Sequence, residues 1–171
     1  MDSNCTFRTH TQNLVKNIRK KSWALTKLKS AGLTEQQLLN AYKGLIRLTV
    51  EYVVPAWHSL ITAQQAAQLE KQQTLALRRI YGHGMSAAKM RQKSGIELLS
   101  SRRKKNCLNF AEKNLSNQRC AHWFIKRPAP SYARRLSTSY PEFKEPTART
   151  DRFRNSPRNY LIRLLNESRS S

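Results

Sequence analysis

AGLTEQQLLNAY, residues 31–42, stops one helix and starts another within four residues. Gly32 takes the left-handed backbone that ends helices, because it has no Cβ to clash. Thr34 followed three residues later by Gln37 is a capping box. The threonine hydroxyl accepts from the Gln37 N–H, and the Gln37 carboxamide accepts from the Thr34 N–H. With only Leu33 between stop and start, the two helices must fold back as a tight antiparallel pair.

Periodicity extends this pair in both directions. Upstream, Leu14, Ile18, Leu25 and Leu28 recur at threes, fours and sevens, which predicts a helix over about residues 10–30. Downstream, Leu38, Tyr42, Leu45, Ile46, Thr49 and Val53 share one face of a second helix. It runs into VEYVVPAWHSL, residues 50–60, where Pro55 denies a backbone N–H and biases the residue before it. The helix should therefore end or kink near Val54, with Tyr52 and Trp57 filling the junction. Thr62 and Gln65 form a second capping box. A third helix follows, marked by Ala66, Leu69, Gln73, Ala76 and Ile80, and closes before Gly82. Ser86 caps a short fourth helix over 87–93, stopped by Gly95, and a fifth covers 99–115. The expected fold is all-α: a small antiparallel bundle of about five helices over residues 1–125. Beyond it, Pro128, Pro130, Pro141, Pro146 and Pro157 predict an extended basic tail over 126–171, helical only near Tyr160 to Asn166.

Charge narrows the class of partner. Thirty-two Lys and Arg oppose ten Asp and Glu, a formal net charge of +22. Self-repulsion of that size opposes compaction unless an anionic partner offsets it, and nucleic acid is the commonest such partner. The excess is not confined to the tail: residues 1–125 hold twenty-one basic against six acidic residues, and the rest eleven against four. No segment approaches the 18 consecutive apolar residues of a membrane span, and no N-terminal stretch reads as a signal peptide. Three widely spaced cysteines, Cys5, Cys107 and Cys120, suit a reducing compartment better than a disulfide framework. The expected location is intracellular, nuclear or cytoplasmic.

Catalytic constellations are sparse. The two aspartates, Asp2 and Asp151, lie near opposite ends, whereas two-metal phosphoryl transfer needs clustered carboxylates. Cys120 and His122 make one close ligand pair where structural zinc uses two. His10, His58, His83 and His122 fall in different segments, and no sequence pattern pairs them with a nucleophile. No phosphate-cradling Gly-Lys loop occurs. We therefore expect no catalytic residues, no metal and no cofactor. The basic runs remain: Arg19, Lys20 and Lys21 with Lys27, then Arg78 and Arg79, then Arg102 and Arg103 at the head of the run Arg102 to Lys105, all on predicted helices. These eight are the expected phosphate contacts. Trp23 and Tyr81 lie near them and could stack on bases, with core or rim positions the commoner fate of such rings.

The order of motifs resembles the C-terminal part of non-LTR (LINE-type) retrotransposon reverse transcriptases. The opening residues 2–10, DSNCTFRTH, are similar to the family's S-x-L-x-W-x-x-H element, with Cys5 and Phe7 in place of an aliphatic and a tryptophan. Ala31-Gly32-Leu33 and Leu38-Leu39-Asn40-Ala41-Tyr42 match the next element. Residues 50–58 resemble L-E-Y-x-x-P-x-W-x, residues 69–80 resemble L-E-x-x-Q-x-x-A-L-R-x-I, and residues 95–103 resemble G-L-x-x-L-x-x-R-R. Residues 148–156 are similar to the closing arginine-rich segment.

Each motif is short; together, in order and spacing, they cover nearly the whole chain. The resemblance implies a helical thumb and the segment beyond it, which grip a template–primer duplex beside a palm and fingers. The family's catalytic Tyr-x-Asp-Asp lies upstream of this region, and no Asp-Asp occurs here. The resemblance thus implies a truncated reverse-transcriptase fragment that binds RNA, DNA or hybrid duplex without polymerase activity of its own. Two alternatives stay open: a remnant without stable activity, and a basic membrane-surface protein.

Overall fold

The computed structural model describes residues 7–128 and 141–170. Asp2, Cys5, Pro130 and the start of the opening motif lie outside the described residues. The chain is all-α: among the described residues only an isolated bridge, Lys126 to Phe143, has β pairing. Contacts divide it into two compact units, Met1–Val54 with Ile61–Arg103, and Pro55–Leu60 with Lys104–Ser171.

The first unit begins with α1 (Arg8–Ser30). The N–H of Gly32 bonds to the Lys29 carbonyl and that of Leu33 to the Leu28 carbonyl, the paired bonds of a Schellman stop, with Gly32 at φ 86°. The Thr34 box then starts α2 (Glu35–Tyr42), its two reciprocal bonds at 3.4 and 2.9 Å. The second box does the same for α5 (Ala63–Tyr81), at 3.2 and 2.7 Å. Ser86 caps α6 (Ala87–Ser94), which stops at Gly95 in the left-handed region. α7 spans Leu99–Asn114. Its first N–H groups are met from outside: Glu70 on α5 accepts from Leu99 N at 3.2 Å and Ser100 N at 2.6 Å. A carboxylate there also complements the positive end of the helix dipole.

The helix begun by α2 continues through a π-helical turn, Lys43–Arg47, into α3 (Leu48–Glu51). That turn shifts the buried face. Leu38, Tyr42 and Ile46 are buried as the regular period predicts, but the next inward place goes to Val50: Thr49 is half-buried, and Leu45 and Val53 are 41% and 50% exposed. Steps of four drift by roughly 40° each on a regular helix, about 120° over three steps. One extra residue within a turn winds later residues back by roughly 100°, so the stripe stays on one side. Leu45, Leu48 and Tyr52 are left facing outward. With Leu14, Ile18 and Leu25 of α1, and Leu69, Ala76, Leu77 and Ile80 of α5, the stripe makes the core of this unit. Lys21 on α1 donates to Thr49 Oγ1 at 2.5 Å, which sets α3 running against α1. Lys29 donates to the last carbonyls of α5, Arg79 and Ile80, at 3.2 and 2.7 Å, so α5 runs alongside α1 in the same sense.

The Pro55 break occurs, but three residues early. α3 ends at Glu51, Tyr52 is extended, and Val53 takes φ 50°. Pro55 then sits in the first turn of α4 (Val54–Trp57), where its lacking N–H costs nothing. Trp57 is 2% exposed, but Tyr52 is 75% exposed and fills no junction. The extended residue followed by a left-handed one swings the Tyr52 side chain outward.

The second unit corrects the expected boundary and the expected tail. Residues 104–128 and 141–170 belong together with Pro55–Leu60. Thr150 caps α8 (Asp151–Arg154), and α9 (Pro157–Ser170) opens on a proline at a position where the missing N–H does no harm. Asn159, Leu161, Ile162, Leu164 and Leu165 of α9 are buried, as are Cys107, Ala111, Phe124 and Phe143. Asn166 brackets the Phe143 backbone, accepting from its N–H at 2.9 Å and donating to its carbonyl at 3.1 Å. His58 Nε2 lies 3.1 Å from the Tyr160 hydroxyl, which holds residues 55–60 to α9.

Candidate nucleic-acid interface

α1 carries seven Lys and Arg and no acid. Its inward positions, Thr11, Leu14, Ile18, Ser22 and Leu25, recur at threes and fours, so an outward stripe recurs at the same interval. That stripe is Arg8, Gln12, Lys16, Arg19 with Lys20, Trp23 and Lys27, all exposed. From Lys16 to Lys27 it extends about 16 Å along the axis. An open groove of about 450 Å³ runs beside it, lined by Gln12, Val15, Lys16, Arg19, Lys20 and Gln68 of α5. Trp23 is 60% exposed, and Lys27 Nζ lies 5.0 Å from its ring centroid.

The eight expected contacts separate into groups. Arg19, Lys20 and Lys27 share the α1 stripe, and Arg78 is exposed near the end of α5. Arg79 is half-buried beside it. Lys21 turns inward to Thr49, so it serves packing. Arg102 and Arg103 are corrections. Arg102 donates to Glu51 through Nε at 2.5 Å and Nη2 at 3.3 Å, and that bond pushes its pKa further up. Arg103 is 1% exposed and cannot meet a phosphate. The cause is helical geometry: consecutive residues lie roughly 100° apart, so a four-residue basic run cannot share one face. Lys104 and Lys105 of that run do reach solvent, and Lys104 pairs with Glu167 at 3.1 Å. Lys16, which the basic-run reading passed over because it stands alone, belongs to the stripe; its spacing of four to Lys20 is the signal that finds it.

Three acids of this unit are engaged by partners outside α1. Glu35 pairs with Lys93 at 2.6 Å, Glu51 holds Arg102 with Arg47 at 3.6 Å, and Glu70 caps α7. Among the described residues, no acid pairs with the exposed cations of the α1 stripe. Tyr81 is a rim residue: half-buried, with burial raising its pKa and Lys93 Nζ 4.8 Å from its ring. Trp23 departs from the core-or-rim expectation.

Cys107 is buried and Cys120 half-buried, both as free thiols. Among the described residues, no three His, Cys, Asp or Glu side chains are grouped to hold a metal ion, and no helix is long and apolar enough to cross a membrane. No protein-family model matches this sequence, and neither a curated protein nor a solved structure is detectably similar to it.

Proposed function

We propose that the first unit is a nucleic-acid-binding helical module of the reverse-transcriptase thumb kind, which docks a phosphate backbone on α1 and has no polymerase activity of its own. The acid-free exposed stripe of α1 carries this reading. Phosphates hold no sequence information, so binding should be largely independent of sequence. The outward Leu45, Leu48, Tyr52 and Val53, 41–75% exposed, favour a companion palm-like domain against the α2–α3 side of this unit.

Duplex binding at varied salt tests the reading. Four phosphates neutralised by Lys16, Arg19, Lys20 and Lys27 give a slope of about −3.6 in log K against log salt. Affinity should fall about 150-fold between roughly 50 and 200 mM salt. R19Q/K20Q should halve the slope to about −1.8, a loss of about 12-fold over the same range. Flat binding, or an unchanged slope in the double variant, refutes it.

A further inference from the structure

Trp23 is the one large apolar residue that α1 exposes among the described residues, and it stands inside the basic stripe. Lys20 precedes it by three residues and Lys27 follows by four. The axial offsets are about 4.5 and 6 Å. The ring is thus flanked on both sides by cations, one of which lies 5.0 Å from its centroid. Its neighbours Ser22 and Leu25 point into the core, so the helix holds the indole outward. An indole set between phosphate-binding cations matches the alternation of a single strand: phosphate, base, phosphate.

We infer that Trp23 is a stacking platform for an unpaired base, and that the α1 surface takes single-stranded nucleic acid in preference to duplex. This rests on the phosphate-binding reading of α1. In a duplex both faces of each base are already stacked, so Trp23 has nothing to lie against and only the phosphates contribute. In a single strand, base–aromatic stacking adds to the phosphate contacts and tolerates any sequence. A membrane surface is the other partner that favours Trp beside Lys. The stripe argues against it: besides Trp23 it offers Gln12, Lys16, Arg19, Lys20 and Lys27, with no apolar face to enter a bilayer.

The test compares the full chain with W23A and W23F. Probes are an oligothymidylate of about twelve nucleotides, an abasic strand of equal length, a duplex of equal length and anionic phospholipid vesicles. W23A should weaken oligothymidylate binding about 5- to 150-fold. It should change abasic-strand and duplex binding less than about twofold, and W23F should retain most of the affinity. Circular-dichroism melting confirms that each variant is folded. Equal loss on all nucleic-acid probes, or no loss on oligothymidylate, overturns the stacking inference and leaves phosphate binding standing. Vesicle binding that W23A abolishes, with oligothymidylate affinity unchanged, overturns it in favour of a membrane surface. If the wild-type chain binds none of the nucleic acids, the phosphate-binding reading fails and this inference with it.

Discussion

Glu51 ties the end of α3 to the first turn of α7, and E51Q should be the most damaging conservative change in the first unit. Its carboxylate, 13% exposed, accepts both Arg102 donors and lies 3.6 Å from Arg47 Nε. Glutamine keeps the shape and one acceptor oxygen but removes the charge from between two guanidinium groups. Breaking a fully buried pair costs about 3–5 kcal/mol. The two arginines are 26% and 25% exposed, so solvent relieves part of that. A loss of about 2 kcal/mol follows, within the range for charged hydrogen bonds. For a unit of roughly one hundred residues, that lowers its melting temperature by about 8–16 °C. The assay is urea unfolding of wild type, E51Q, R102M and E51Q/R102M. The double variant should be milder than the sum of the singles by at least about 1 kcal/mol, because it leaves only Arg47, and not Arg102 as well, without a carboxylate. Additivity within about 0.5 kcal/mol refutes the pairing. Folded E51Q should bind oligonucleotides as wild type does, since Arg102 is committed to the fold.

Three further outcomes follow from particular residues. V53N should raise the unfolding free energy by about 1 kcal/mol, read as a higher urea midpoint, because a β-branched residue at φ 50° is strained and asparagine accepts that region; a lowered midpoint counts against the strain. W57A should cost about 3–5 kcal/mol through lost burial, with oligonucleotide affinity of the folded protein unchanged; a loss of affinity at full stability would place Trp57 at the nucleic acid. Lys126 and Arg169 bond to Glu142 and hold its carboxyl below the ordinary 4.5, so its stabilisation is complete above pH 4.5 and lost as pH falls through the lowered folded value. E142Q should flatten that acid limb of the melting curve, and an unaltered limb would show that the interactions do not contribute.

Helix ends were the legible part of this sequence. Thr34, Thr62, Ser86, Gly32 and Gly95 act through bonds to residues within five positions, so their chemistry is written locally. The segments between them took the expected helical form. Three things escaped. The π turn cannot be seen in a period count that assumes one helix geometry. The proline-rich C-terminal part read as extended because proline is a local signal. The burial of Leu161, Ile162, Leu164 and Leu165 depends on residues as distant as 55–60. The basic run at Arg102 to Lys105 is one patch in sequence but not in space, since consecutive helical residues lie roughly 100° apart and Arg103 points into the core. Trp23 was legible as a residue near the cations, but not as a residue on their face until its phase against Leu14, Ile18 and Leu25 is drawn.

The π turn also says something about how this helix can change length. Gly44 lies inside it, and a Cβ there would meet no neighbouring atom. Without Gly44 the segment would close into an ordinary helix, and Leu38, Tyr42, Ile46 and Val50 would fall at intervals of four, three and four. Those intervals suit a regular helix, so the same side chains would reach the core with no bulge. The bulge is therefore a spare link: one residue the helix can gain or lose there while its interior stays the same.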